Sequence, residues 1–227
     1  IFGELYGGGF ESRFAKDVVE VPAWLDGGPE PSTVSEGVFR ANRLSTMRTR
    51  QSAAYKGIHA LLMREGAKDF RSGQGYDLTV FFDESVDIHH IFPQAWCEAQ
   101  KIDVKIYDTV INKTPLSYRT NRIIGGVAPS KYLAKLELGK KTTDGQIENP
   151  PIPSATLDSY LASHCISAIH LRADDFKSFM KERRKALETL IGHVTGHPVS
   201  EVVDTSDDGE ELSEDIARDS GISTISE

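Results

Sequence analysis

Two adjacent histidines, His89 and His90, stand in the segment DIHHIFPQAW (residues 87–96), and a second polar segment, NKTPLSYRTN (residues 112–121), begins and ends on asparagine. An imidazole with an unperturbed pKa of about 6.5 accepts a proton near neutral pH and is also a common metal ligand. Phosphodiester hydrolysis needs three things: a base for the attacking water, a held in-line geometry, and neutralised charge on the leaving oxygen. One imidazole can be the base, one divalent cation on a few N and O ligands can stabilise the phosphate, and a nearby asparagine can fix the imidazole. Each residue also has a plainer reading. The histidines can be ordinary strand residues, Asn112 the cap of a turn before Pro115, and Asn121 a helix N-cap. Asp87 reads as a hydrogen-bond partner for a ligand histidine or as a solvated strand-end carboxylate. A regular strand sends neighbouring side chains to opposite faces, so both histidines reach one site only if the strand twists or bulges.

The elements that must position these residues are legible in outline. Ala54, Ile58, Leu61 and Leu62 predict a helix over 49–65, with Gly66 past its end. The Pro- and Gly-containing stretch 22–37 reads as loop, and Gly73 and Gly75 mark a turn. LTVFF (78–82) and VDIHHIF (86–92) are β-prone, and Pro93 suits the first turn of a helix, PQAWCEAQK. Residues 107–117 read as extended, TNRIIGG as a short helix, 129–138 as a clearer helix, and NPPIP (149–153) as a linker. The last helix, 174–194, has an apolar stripe of Phe176, Phe179, Met180, Leu187, Leu190, Ile191 and Val194. The expected class is α+β, in four parts: helical residues 1–76, a core at 77–148, C-terminal helices at 149–198 packing on that core, and a tail from 199 to 227.

Composition narrows the class. The chain has 227 residues, 39% hydrophobic and 26% charged, and no window nears the roughly 18 apolar residues of a membrane helix. Its start has no signal-peptide pattern and no methionine, which suggests a piece of a longer protein. Cys97 and Cys165 form no knuckle or disulfide framework, so the cytoplasm is the expected compartment. The net charge of -8 argues against nucleic acid until it is located: residues 199–227 hold ten acidic residues against Arg218 alone, and residues 1–198 carry +1. The tail has too little apolar surface to offset ordering entropy and reads as disordered.

DIHHIFP resembles the first strand of HNH nucleases, in which a proline follows three positions after the catalytic histidine. Pro93 stands three beyond His90. The resemblance therefore implies His90 as general base, His89 as first metal ligand, Asn112 as the motif's middle, catalytic asparagine and Asn121 as the last ligand. Many such sites carry aspartate where His89 stands, and imidazole suits Mn, Ni or Zn better than Mg; one divalent ion, Mg2+ or Mn2+, is expected. LYGGGFESRFAKD, RLSTMRTRQSAAYKGIHALL, TNRIIGGVAPSKYLAKLE and SHCISAIHLRADDFKSFMKERRKAL are similar to the C-terminal half of GmrSD-like, modification-dependent (type IV) restriction enzymes. That family implies a ββα-metal (His-Me finger, HNH) core within a mostly helical domain, cutting double-stranded and modified DNA. It also implies an N-terminal ParB-like NTP-hydrolysing half, of which this sequence shows no GxxxxGK[ST] trace. Lys113, Arg119 and Arg122 beside the site are candidate phosphate contacts. Lys177, Lys181, Arg184 and Lys185 form a stripe that is a DNA contact or a solvated helix face. Two alternatives share the pattern: an inactive DNA-binding or assembly module, and an RNA nuclease.

Overall fold

In the computed structural model, residues 10–49, 52–76 and 86–201 are described; the expected strand 78–82 lies outside them. Among the described residues the chain is α+β: helices around two small two-stranded antiparallel sheets. The described residues up to Arg64 form four helices: α1 (Phe10–Leu25), α2 (Ser32–Ser35), α3 (Arg43–Thr46) and α4 (Ala53–Arg64). The loop expected over 22–37 is thus partly helix. Pro22 sits inside α1 near its end, and the Glu20 carboxylate accepts the backbone N–H and hydroxyl of Ser32 at 2.7 and 2.8 Å, tying α2 to α1. Helix α4 starts later than its apolar spacing suggests because Ser52 caps it, accepting from the Tyr55 N–H.

The central unit is β1 (Asp87–His90), α5 (Gln94–Ala99), α6 (Val104–Tyr107), a 3₁₀ turn (Val110–Asn112), β2 (Lys113–Leu116) and α7 (Tyr118–Ile124). The stretch expected to be extended over 107–117 is therefore turn first and strand only from Lys113. Strands β1 and β2 pair antiparallel in continuous register, Asp87 opposite Leu116 and His90 opposite Lys113. Ser117 caps α7, accepting from the Thr120 N–H at 3.2 Å; Asn121 lies a turn inside the helix and is not its cap. Asp69 secures this junction. Its buried carboxylate accepts the Ser117 N–H at 3.1 Å and the Thr120 hydroxyl at 2.8 Å, besides the N–H groups of Arg71 and Ser72. Burial alone would raise its pKa, but these donors outweigh burial and hold it below the ordinary value.

Helix α8 (Pro129–Leu138) follows, then a hairpin of β3 (Lys140–Lys141) and β4 (Ile147–Asn149) that the sequence did not announce, since its residues are mostly exposed and carry no alternation. NPPIP is anchored by Ile152, which is buried in the main core, while its three prolines are exposed. Helices α9 (Ser154–Ala162), α10 (Ala168–Arg172) and α11 (Phe176–Thr195) complete the described fold. One core gathers Phe92, Tyr132, Leu157 and Phe179; a second gathers Tyr55, Ile58, Val110, Leu187 and Ile191, and Met180 of α11 packs against both. The tail expected from residue 199 is pinned at its start: Ser200 bridges Arg40, donating to Phe39 O at 2.8 Å and accepting from the Ala41 N–H at 2.9 Å. Residues 202–227 lie outside the described ones. Among the described residues, no helix is long and apolar enough to cross a membrane.

His164 joins β2 to the loop after α4. Its Nε2 donates to the Lys68 carbonyl at 2.8 Å, which leaves Nδ1 to accept the Thr114 hydroxyl at 2.6 Å. Burial pulls its pKa down from 6.5 to about 4. The unfolded chain therefore binds a proton there over a window in which the native protein does not. The contribution of neutral His164 is full above pH 6.5 and drains as pH falls towards 4, by roughly 3 kcal/mol. Thermal unfolding across this window should show that loss, and His164→Gln should flatten it. An unchanged slope in the variant would assign the loss to another group.

Candidate active site

Because the β1–β2 register has no shift, Asp87 and His89 share one face of the ladder, and Ile88 and His90 the other. His90 and its cross-strand partner Lys113 are both buried, and both reach Asp108 at the end of α6. His90 Nε2 lies 3.0 Å and Lys113 Nζ 2.7 Å from the same oxygen, Asp108 Oδ1. The Lys113 ammonium also donates to the Arg48 carbonyl at 3.3 Å. Burial alone would raise the Asp108 pKa; the His90 hydrogen bond and the Lys113 charge outweigh it and keep the carboxyl below its ordinary range. Lys113, expected to touch phosphate, is instead 1% exposed and held in this triad. Arg48 is likewise internal, donating to the Thr46 and Lys105 carbonyls at 2.7 Å each.

Asn112 is fully buried and works through the backbone. Its Oδ1 accepts the Phe92 N–H at 2.9 Å, and its Nδ2 donates to the carbonyls of Phe92 and Tyr107 at 3.0 Å each. Ile91 N–H adds a bond to Asn112 O at 2.8 Å. The asparagine thus fixes the turn that carries the chain from His90 into α5. Contact with the imidazole, expected of Asn112, belongs to Asp108.

A cleft of about 400 Å³ opens between α5 and α7, lined by His90, Gln94 and Glu98 on one side and Asn121, Arg122 and Gly125 on the other. Glu98 Oε1 accepts from Gln94 Nε2 at 2.9 Å and from the Tyr107 hydroxyl at 3.2 Å. With its amide nitrogen so engaged, Gln94 has a buried Oε1 with no hydrogen-bond partner among the described residues. The structure thus brings His90 and Asn121 to one cleft. No bulge turns His89 to that face, and it does not line the cleft. Asp87 accepts the N–H of Ile88 at 2.8 Å. Arg119 and Arg122 are exposed on α7, and Arg122 lies over the Tyr118 ring. Lys177 and Lys181 are exposed on α11, whereas Arg184 is paired with Glu188 at 2.7 Å. Among the described residues, no group of three or more His, Cys, Asp or Glu is arranged to hold a metal.

No family model matches the chain, and no solved structure matches it. It is similar to an uncharacterized protein of Methanocaldococcus jannaschii, 30% identical over 141 residues. The match covers 60% of this chain and 23% of the archaeal protein, so the chain spans about a quarter of that relative's length.

Asp108, Glu98 and Gln94 escaped sequence reasoning. Asp108 stands 18 residues from His90 and belongs to no motif; only the pairing of His90 with Lys113 in the ladder could have suggested a shared acid. Removing one partner of a buried ion pair costs about 3–5 kcal/mol because the other charge is stranded. Asp108→Ala should therefore destabilise by that order in urea unfolding, and Lys113→Met nearly as much. The double variant should lose clearly less than the two single losses added. Strict additivity would mean that the two groups do not share their charge.

Proposed function

We propose that the cleft is the centre of a metal-dependent DNA endonuclease of the HNH type, from a modification-dependent restriction system that acts against phage DNA. The observation that carries this reading is the meeting of His90 and Asn121 in one cleft, on a strand–strand–helix unit of β1, β2 and α7. The resemblance to HNH nucleases, through the position of Pro93, points to the same histidine that lines the cleft.

His90 is the base. Asp108, held as a carboxylate, accepts the hydrogen on Nε2. That leaves Nδ1 as the ring's proton acceptor, and the imidazolium formed on taking the water's proton gains a facing negative charge. Lys113 keeps Asp108 ionised without touching substrate. Asn112 holds the turn after His90, so the ring and α5 keep a fixed spacing. The oxygens of Asn121 and Glu98 and the unpartnered Oε1 of Gln94 are the donors at the cleft, a set that suits a hard divalent ion such as Mg2+ or Mn2+ on few protein ligands. Such an ion, when bound, neutralises charge on the phosphate and the leaving oxygen. His89, on the other face, is outside this set. Arg119 and Arg122, exposed on the helix that bears Asn121, are placed to meet the phosphate backbone.

His90→Ala should lower cleavage of plasmid DNA by about 100- to 10,000-fold, with the far-ultraviolet circular dichroism unchanged. EDTA should stop the wild-type reaction, and RNA run in parallel should stay intact. Near wild-type cleavage by the variant would remove His90 from the chemistry. RNA cleavage with DNA spared would move the activity to another polymer. Calorimetric titration with Mn2+ should show one weak site that Asn121→Ala weakens further and His89→Ala leaves unchanged; two tight sites, or binding lost only in His89→Ala, would overturn this donor set.

A further inference from the structure

A second concavity, about 610 Å³, lies between α11 and the α6–3₁₀ segment. Its floor is apolar, with Ile106, Ile111 and Met180, and its rim carries Lys105, Lys181, Arg184 and Lys185. The three lysines are exposed. Glu188 and Glu201 are the acids on the same wall. The described chain ends in this groove. Ser200 is bridged to Arg40, Glu201 lines the groove, and its carboxylate lies 3.7 Å from the Arg184 guanidinium, which Glu188 shares. Beyond Glu201 the sequence runs VVDTSDDGEELSEDIARDS, and residues 202–227 hold nine acidic residues against Arg218.

We infer that this groove is a docking site for the chain's own acidic segment after Glu201, which competes there with external polyanions. Three observations converge on that occupant. The segment enters at the groove, so it needs no linker to reach it. Its charge is opposite to the rim's, and an intramolecular ligand acts at a high effective concentration. Its sequence order, Val202 and Val203 first and then Asp204, Asp207 and Asp208, matches an apolar floor with a basic rim, and at about 3.3 Å per extended residue the three aspartates come within reach of roughly 10–25 Å from Glu201. A polynucleotide that needs the same lysines binds only when the segment is out, and its apparent affinity falls by the fraction of time the groove is open.

Zero-length carbodiimide coupling on the full chain, mapped by mass spectrometry, tests the docking without any nucleic acid. At low ionic strength, carboxylates of residues 204–215 should couple chiefly to Lys105, Lys181 and Lys185, and the products should fade near 1 M salt, where the Debye length is about 3 Å. Equal coupling to the exposed Lys131 and Lys135 of α8, or none to the groove, would overturn the proposal. A second arm uses a short DNA duplex as the polyanion. Changing Asp204, Asp207, Asp208, Glu210 and Glu211 together to their amides should tighten binding roughly 3- to 10-fold at low salt, and the gain should vanish when Lys181→Ala and Lys185→Ala are added. No gain, or a gain that survives loss of the lysines, would show that the segment acts elsewhere. Because the coupling arm is independent of cleavage, groove products from a chain that cuts nothing would spare this inference and sink the nuclease reading. Cleavage without groove products would do the reverse.

Discussion

One buried carboxylate oxygen organises the centre of this protein. Asp108 Oδ1 takes both the His90 imidazole and the Lys113 ammonium, all three side chains being shielded from water. Each charge alone would be expensive to bury, and together they are tolerable only while the geometry holds. The rest of the central unit can be understood as what maintains that geometry. The unshifted ladder sets His90 opposite Lys113, the end of α6 brings Asp108 to both of them, and the Asn112 carboxamide, on the 3₁₀ turn, clamps Phe92 and Tyr107.

The peripheral elements act at one remove. Asp69 ties the loop after α4 to the start of α7, and so holds the helix that carries Asn121 against the end of β2. His164 ties the same loop to β2 through Thr114. Gly73 in that loop adopts φ +67°, and a Cβ there would run into the Tyr160 ring, so glycine is required at a place where α9 presses on the loop. The cleft between α5 and α7 therefore has walls that are tied from below by side-chain to backbone bonds rather than by apolar contact alone.

Much of this was legible in the sequence because it follows local rules. Helix 129–138, the helical start at Pro93 and the long C-terminal helix were readable from apolar spacing and proline placement, and Asp175 at the last helix's N-cap is an ordinary cap. Of the candidate site, His90 and Asn121 were picked out by the resemblance to HNH nucleases, and both line one cleft. What escaped depended on contacts between distant residues. Lys113 looked like a surface cation because nothing nearby in sequence marks its partner. His89 could share a site with His90 only through a twist or bulge in the strand, and the unshifted register, set by pairing with residues far along the chain, puts it on the other face. Pro22 looked like the start of a loop, although a proline near the end of a helix removes only one bond there.

Arg183 carries a consequence of another kind. This buried guanidinium on α11 donates to the carbonyls of Ile111, Lys113 and His164, with Lys113 70 residues earlier in the chain. Burial lowers its pKa to about 10, so it stays charged at neutral pH. The strand that bears Lys113 is thus suspended from a helix made much later. On a ribosome, where synthesis proceeds from the N-terminus at about 5–20 residues per second, β1 and β2 emerge well before the guanidinium that holds the outer edge of β2. The bonds that tie Ile111 and Lys113 to the guanidinium can form only once α11 has been made, so this part of the fold is completed by residues from the far end of the described chain.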